Sequence, residues 1–439
     1  MVTDKNVIVV TIQYRLGAFG FLSSGDEALP GNLGLHDQIL ALRWVRDNIR
    51  QFGGDPSDVT IFGESAGSGS VAALALSPAT KGLFTKGIMQ SGTILSPWCI
   101  IERPQDHFYQ HARKLGCLPR IYNPWNIPDY HKNIVACMKR KPPMEILRAQ
   151  EDTDFSDLFT TSIAETVVFA PVVDNDLIPR VPVSLLSDKA YLQQNGVLNR
   201  SYIVGMNDNE GLLLAGFVSK EEYGNFTRKS NVASLIRSTV KSYLNWPVDS
   251  DALNVVDFTY TYPRNQNGDI ALQNVFDLNN DMTYVVPMIS FARALVKASP
   301  STPVYVYVFD AELKLKDPDG PLKGTIHGMD IYHVFEIAPS ALDDLFFFYA
   351  DLDPVKFPIL ADAFRGFVTA FAKTGFPATN NFNSWPRFDR QRERYMDLST
   401  KPEVREHFIS RRMSLWTEFL PKMAASYWTR AEKRRVAFD

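Results

Sequence analysis

The chain runs Asp-Val-Thr-Ile-Phe-Gly-Glu-Ser-Ala-Gly-Ser-Gly-Ser-Val-Ala-Ala-Leu-Ala-Leu from Asp58 to Leu76. A short apolar, β-branched run, Val59 to Phe62, gives way to Gly63-Glu-Ser-Ala-Gly67 and then to small and aliphatic residues at helical spacing. The pattern predicts a strand, a sharp turn and a helix. In that setting a G-x-S-x-G sequence is a nucleophile elbow, because glycines beside the serine let the backbone fold tightly while the hydroxyl is lifted clear of the sheet. The five residues alone are a weak signal, so setting and partners must carry the reading.

The rest of the chain supplies the setting. Val7 to Val10 is a continuous apolar run, extended by Thr11 to Tyr14, and reads as a strand buried on both faces of a sheet. Glycines, Ser23-Ser24 and Pro30 mark a loop between Leu22 and Gly34, and a helical pattern follows from His36 to Gln51, stopped by Gly53-Gly54. Strand, helix, strand in that span is a βαβ unit and implies a parallel sheet. Further strands are expected at Gly87–Gly92, Ser201–Gly205 and Val304–Phe309, with an edge strand at Tyr395–Leu398. Cys99 to about Ala164, broken by several prolines, reads as a lid-like excursion, and Val218 to Leu295 as a second helical insertion. Helical patterns also fill Ala361–Ala372 and Arg411–Leu420. The expected fold is therefore α/β, a doubly wound, mostly parallel sheet with helical insertions, residues 1–439 forming a single domain.

Composition narrows the function. The chain has 439 residues, 45% hydrophobic and 22% charged, with 46 basic against 49 acidic side chains. A formal charge of −3 suggests no grip on nucleic acid or anionic membrane. No apolar run approaches the roughly 20 residues needed to span a bilayer. The first residues show no signal-like segment. Three cysteines, Cys99, Cys117 and Cys137, are too few for a disulfide scaffold and lack metal-site spacing. Two glycosylation acceptors fit the sequon, at Asn199 and Asn225.

A serine at an elbow needs a base to take its proton and an acid to orient that base. In this fold class they follow in the order serine, acid, histidine, each after a strand. Of seven histidines, His36 precedes the serine. His107 and His111 lie four apart on a helix without an evident third metal ligand, and His131, His333 and His407 read as structural or solvated. His327, in the glycine-flanked Lys-Gly-Thr-Ile-His-Gly-Met-Asp after the Val304–Phe309 strand, is the best candidate base. Asn207-Asp-Asn-Glu-Gly follows the Ser201 strand and offers Asp208 or Glu210 as the acid, and spacing alone leaves both open.

Taken together, these segments resemble the type-B carboxylesterase and cholinesterase family of α/β-hydrolases. Tyr14-Arg-Leu-Gly-Ala-Phe-Gly-Phe-Leu22, Gly31-Asn-Leu-Gly34, Phe52-Gly-Gly-Asp-Pro56, Gly63-Glu-Ser-Ala-Gly67 and Gln90-Ser-Gly92 occur in family order. Asn207-Asp-Asn-Glu-Gly211, His327-Gly328, Phe371-Ala-Lys-Thr-Gly-Phe-Pro377 and Trp385-Pro-Arg-Phe388 continue it. The resemblance implies a carboxylic ester hydrolase acting on small-molecule esters through an acyl-enzyme, with Ser65 as nucleophile, Glu210 as acid and His327 as base, and no metal or organic cofactor. It implies an oxyanion donor at the Ala66 N–H, supporting roles for Glu64 and Ser91, and Trp98 on the acyl side of the pocket. It pairs Cys117 with Cys137 in a disulfide, leaves Cys99 alone, and so points to the secretory pathway or the extracellular space.

Two departures qualify these implications. Gly211-Leu-Leu-Leu214 stands where cholinesterases place aromatic residues against a quaternary ammonium, so a cholinesterase is not favoured. Family members also carry a His-Gly-Gly-Gly-like loop upstream of the Tyr-Arg-Leu-Gly segment, which supplies most of the oxyanion hole. This chain starts at about the following strand, so the first strands, roughly a hundred residues by comparison with the family fold, are expected to be missing and the chain to be a fragment or short isoform. Loss of an oxyanion donor costs about 100- to 1000-fold in turnover. The alternative is a catalytically impaired, cholinesterase-like adhesion or binding protein.

Overall fold

Valine alternates with aromatic residues through Val304–Phe309, and the alternation sorts the strand between two cores. Val304, Val306 and Val308 join one apolar cluster, whereas Tyr305, Tyr307 and Phe309 join another. Successive side chains of a strand point to opposite faces, so both faces of this strand are buried and helices must cover each. The computed structural model describes residues 6–118, 129–150, 160–217, 223–244, 250–262, 272–311, 314–315, 324–337, 350–351, 355–378 and 385–425.

Among the described residues one six-stranded sheet contains β1 (Thr60–Glu64), β2 (Lys86–Gln90), β3 (Ser201–Asn207), β4 (Val304–Phe309), β5 (Arg394–Leu398) and β6 (Glu403–Glu406), ordered as numbered. The first five are mutually parallel, and β6 runs antiparallel to β5. Helices α1 (Leu33–Asn48), α2 (Ala66–Leu76) and α3 (Val286–Ala298) bury Leu35, Val71 and Phe291 against the valine face. On the other face, α4 (Met329–Phe335) and α5 (Lys356–Thr374) contribute Val334, Phe364 and Phe367 to the aromatic face. The sheet is thus doubly wound. A satellite cluster around Phe108, Ile134 and Met138 packs the helices Pro104–Lys114 and Tyr130–Lys139, which the Cys117–Cys137 disulfide joins.

Two expectations are corrected. Val7 to Tyr14 pairs with no strand among the described residues, and Ile8, Val10 and Ile12 are substantially exposed. An apolar run records a preference for burial, but a strand also needs a neighbour for its backbone hydrogen bonds, so no leading βαβ unit is formed among the described residues. Tyr395–Leu398 is not an edge: β5 pairs with β4 on one side and β6 on the other. The edge on that side, Glu403-Val-Arg-Glu406, is wholly exposed and mostly charged, which suits an edge and hides it from a hydrophobic pattern. Of the insertions, 119–128, 151–159, 218–222, 245–249 and 263–271 lie outside the described residues; the rest is largely helical, as expected.

Candidate active site

The carboxyl ends of β1, β2, β3 and β4 open on one rim, which is where open parallel sheets place their functional groups. β1 ends at Glu64, and Ser65 turns the chain into α2 with φ 56° and ψ −120°. A non-glycine residue in such a conformation costs about 1–3 kcal/mol and is held only by its surroundings. Here Ser65 N–H donates to Gln90 C=O at 2.9 Å, and Gly69 N–H to Ser65 C=O at 3.0 Å. Gly63 is required: a Cβ there would lie 2.5 Å from the Gly67 backbone. Ala66 opens α2, so its N–H has no acceptor within the helix.

His327 arrives on the loop after β4. Its Nε2 lies 2.8 Å from Ser65 Oγ and its Nδ1 lies 2.7 Å from Glu210 Oε2. Glu210 is wholly buried after β3. Its Oε1 accepts from Ser91 Oγ–H and from Asn207 N–H, each at 2.6 Å, while its own N–H donates to Asn280 Oδ1 at 3.0 Å. A buried carboxyl so surrounded is locked in one rotamer, and it orients the imidazole in turn. Ser91, in a left-handed conformation with φ 59°, reaches Glu210 from the end of β2.

Two more acids set the local field. Glu64 Oε1 lies 3.1 Å from His327 Nε2 but makes no hydrogen bond, so the contact is electrostatic and leaves Nε2 to Ser65. Burial opposes a charge on His327, but Glu64 and Glu210 outweigh it and raise its pKa to about 9. Glu64 itself is pushed up to about 8, chiefly by burial, with His327 pulling the other way. The two shifts oppose each other: a Glu64 that holds a proton at neutral pH no longer supports the imidazolium, so His327 titrates below the value that both carboxylates together would impose. Asp330 accepts from Gln90 Nε2 at 2.9 Å and Tyr307 Oη at 2.8 Å, and burial raises its pKa.

Aromatic rings pack beside His327 and the end of β2. Trp98 packs so tightly on Gly92 that a Cβ there would lie 2.8 Å from its ring. Trp98 in turn faces Tyr284 at 6.4 Å between centroids, and Tyr284 stacks on His327 at 4.8 Å. Tyr284 sits on a π-turn, Asp281–Val285, that leads into α3; no sequence pattern singled it out, because it reads as one apolar residue in a helical insertion. Asn280 and Asp330 were missed for a similar reason, as nothing in local spacing records contacts with Glu210 or Gln90. His131 lies elsewhere, between Tyr109 and Asp26, and His333 is buried against Phe309. Neither His107 nor His111 belongs to a cluster of three or more metal-ligating groups among the described residues. Cys99 is a buried thiol beside Gly69, and burial pushes it up to about 12.

A mostly parallel sheet wound on both faces by helices, with a serine at a strand-to-helix elbow on its carboxyl rim, defines an α/β-hydrolase. The model of the carboxylesterase family matches residues 1–416, and the chain belongs to that family. It is 32% identical to Neuroligin-2 of Homo sapiens, over 95% of this chain and 48% of that protein. It is 31% identical to Neuroligin-3 of Mus musculus, over 95% and 49% respectively. With Carboxylesterase 5A of Felis catus it shares 34% identity, over 94% of this chain and 69% of the relative. The chain spans about half the length of the neuroligins it matches.

Proposed function

We propose that this chain carries the machinery of a serine carboxylic ester hydrolase. The observation that supports the reading best is the unbroken hydrogen-bonded path from Ser65 Oγ through both nitrogens of His327 to Glu210. With Nδ1–H donating to Glu210, Nε2 is the free lone pair that accepts the Ser65 proton as Oγ attacks the ester carbonyl. The imidazolium then protonates the departing alkoxide, leaving an acyl-Ser65 ester. Water, deprotonated by the same Nε2, attacks that ester, and the proton returns to Oγ as the carboxylic acid leaves. Ala66 N–H is the oxyanion donor this chain can offer, Ser91 holds Glu210, and Trp98 with Tyr284 walls the acyl side.

A small-molecule ester is the expected partner. Leu212 and Leu214 are buried rather than set in a pocket, which does not favour a cationic choline ester. No described helix is long and apolar enough to cross a membrane. The Cys117–Cys137 disulfide and the exposed acceptor Asn199 favour passage through the secretory pathway.

A second reading, a cholinesterase-like binding protein without turnover, is favoured by the likeness to Neuroligin-2 along 95% of the chain. One experiment separates the two. The folded protein is treated with a fluorophosphonate probe beside a Ser65→Ala control; labelling that depends on Ser65 supports the hydrolase, and its absence sinks that reading in favour of the second.

A further inference from the structure

Asn-Asp-Asn-Glu-Gly carries two acids after β3, and Glu210 accounts for one. Asp208 is engaged elsewhere. Its Oδ1 accepts a 2.5 Å hydrogen bond from Thr325 N–H, two residues before His327. Around that bond the ends of β3 and β4 close on the same threonine: Asn209 N–H donates to Thr325 C=O at 3.2 Å, and Ala311 N–H donates to Thr325 Oγ1 at 2.8 Å. Asp208 N–H donates to Phe309 C=O at 3.1 Å, tying the two strand ends together. Gly324 approaches with φ 114°, where a Cβ would lie 2.6 Å from Asn209 Cβ and 3.1 Å from Asp208 Oδ2. Both backbone groups and the hydroxyl of the fully buried Thr325 are therefore taken, and Ile326 behind it is buried as well.

We propose that Asp208 is a positioning residue, whose carboxyl clamps the Thr325 N–H and thereby fixes the loop that presents His327 to Ser65. The clamp stands on geometry alone; its kinetic consequence rests on the hydrolase reading above. A base must sit within about 0.5 Å of its working position, and a misplacement of 1 Å can cost about 100-fold in rate. Glu210 fixes the direction of the ring, but the height of the loop over Ser65 must come from the backbone, and Asp208, beside the Asn209 N–H on the Thr325 C=O, holds that backbone from the side of β3.

The clamp also responds to pH. Burial, and then the charge of Asp310 at the end of β4, push Asp208 up to about 7. Among the described residues the carboxyl also meets the Thr325 N–H and hydroxyl, and Asn280 Nδ2 donates to the Asp208 backbone C=O at 3.4 Å. An ionised carboxylate accepts more strongly than a neutral one, so the clamp tightens as pH rises through this range.

The test compares the full chain with D208A and D208N. Two quantities are followed from pH 5 to pH 9: the hydrogen-exchange protection of the Thr325 amide, and kcat and KM with a p-nitrophenyl ester. D208A is expected to lower protection about tenfold and kcat by about 10- to 100-fold, with KM within about twofold. D208N keeps an Oδ1 acceptor and is expected to restore most of both while abolishing the change in protection near pH 7. Unchanged protection in a folded D208A overturns the proposal, as does a D208N that keeps the pH-7 change. Should D208A not fold, D208N alone decides. If the wild-type chain turns over no ester, the hydrolase reading fails on that count, and Thr325 protection still decides the clamp.

Discussion

Glu64 Oε1 stands 3.1 Å from the same His327 nitrogen that holds Ser65. A negative charge there favours the imidazolium, which cannot accept the Ser65 proton, so it works against the base at low pH. The sign follows: removing the charge lowers the pKa of His327 and moves the acid limb of the rate profile to lower pH. Because burial pushes Glu64 up to about 8, much of it is neutral where that limb lies, and Glu64→Gln is expected to shift the limb of kcat/KM down by less than about one pH unit, measured with a neutral chromogenic ester. An unshifted limb would show that Glu64 is already protonated at the pH where ester turnover is followed.

Glu210→Gln keeps the shape of the acid and destroys its pattern of acceptors. Ser91 O–H and Asn207 N–H both point at Oε1, so the carbonyl oxygen of the amide will face them and its NH2 will face His327 Nδ1. The imidazole must then present a lone pair at Nδ1 and carry its proton on Nε2, where Ser65 needs an acceptor. The expected loss in kcat at neutral pH is about 1000-fold or more, with little change in melting temperature. Steady-state kinetics beside thermal unfolding checks it, and a loss below tenfold would remove Glu210 from the proposed mechanism.

The elbow and the strands at β3 and β4 were legible because each rests on residues close in sequence: β-branched runs, glycines with a required conformation, and a helix that starts at once. Spacing left Asp208 and Glu210 equal, since both follow the same strand by a few residues. The family resemblance chose Glu210, and the return of the chain at Thr325 and His327 shows the physical difference, one acid meeting a backbone N–H and the other an imidazole. Tyr284 and Asn280 were invisible for the same reason, being placed by packing across the sheet rim. Val7 to Tyr14 shows the converse limit: its pattern was clear, but pairing depends on what lies alongside.

The Cys117–Cys137 bridge closes a sequence separation of 20 between two helices of the satellite cluster. A loop of that length gives about 3 kcal/mol by restricting the unfolded chain. Replacing both cysteines with serine is expected to lower the melting temperature by several degrees while leaving fluorophosphonate labelling of Ser65 unaltered, because the cluster packs apart from the rim. Loss of labelling in a folded double variant would show that the bridge shapes the site.

Asp281, fully buried, opens the π-turn that carries Tyr284, with Tyr260 donating to its Oδ2 at 2.6 Å and Arg412 Nε 2.7 Å away. Burial pushes it up to about 7, with Arg412 pulling it down. Its folded pKa is above the unfolded value, so the folded state holds the proton more tightly, and stability falls as pH rises from about 4 through 7. Arg412→Met removes the opposing cation and steepens that fall. The variant is expected to lose about 3–5 kcal/mol at pH 8, where an unpaired carboxylate would be left in the core, and markedly less at pH 5, where Asp281 takes up a proton. Denaturant unfolding at the two pH values decides it; equal losses would mean that the carboxyl is neutral throughout and that Arg412 acts by packing alone. A π-turn loosened at pH 8 should also free Tyr284 from the His327 ring, so ester turnover in the variant is expected to fall more at pH 8 than at pH 5, relative to the parent at each pH.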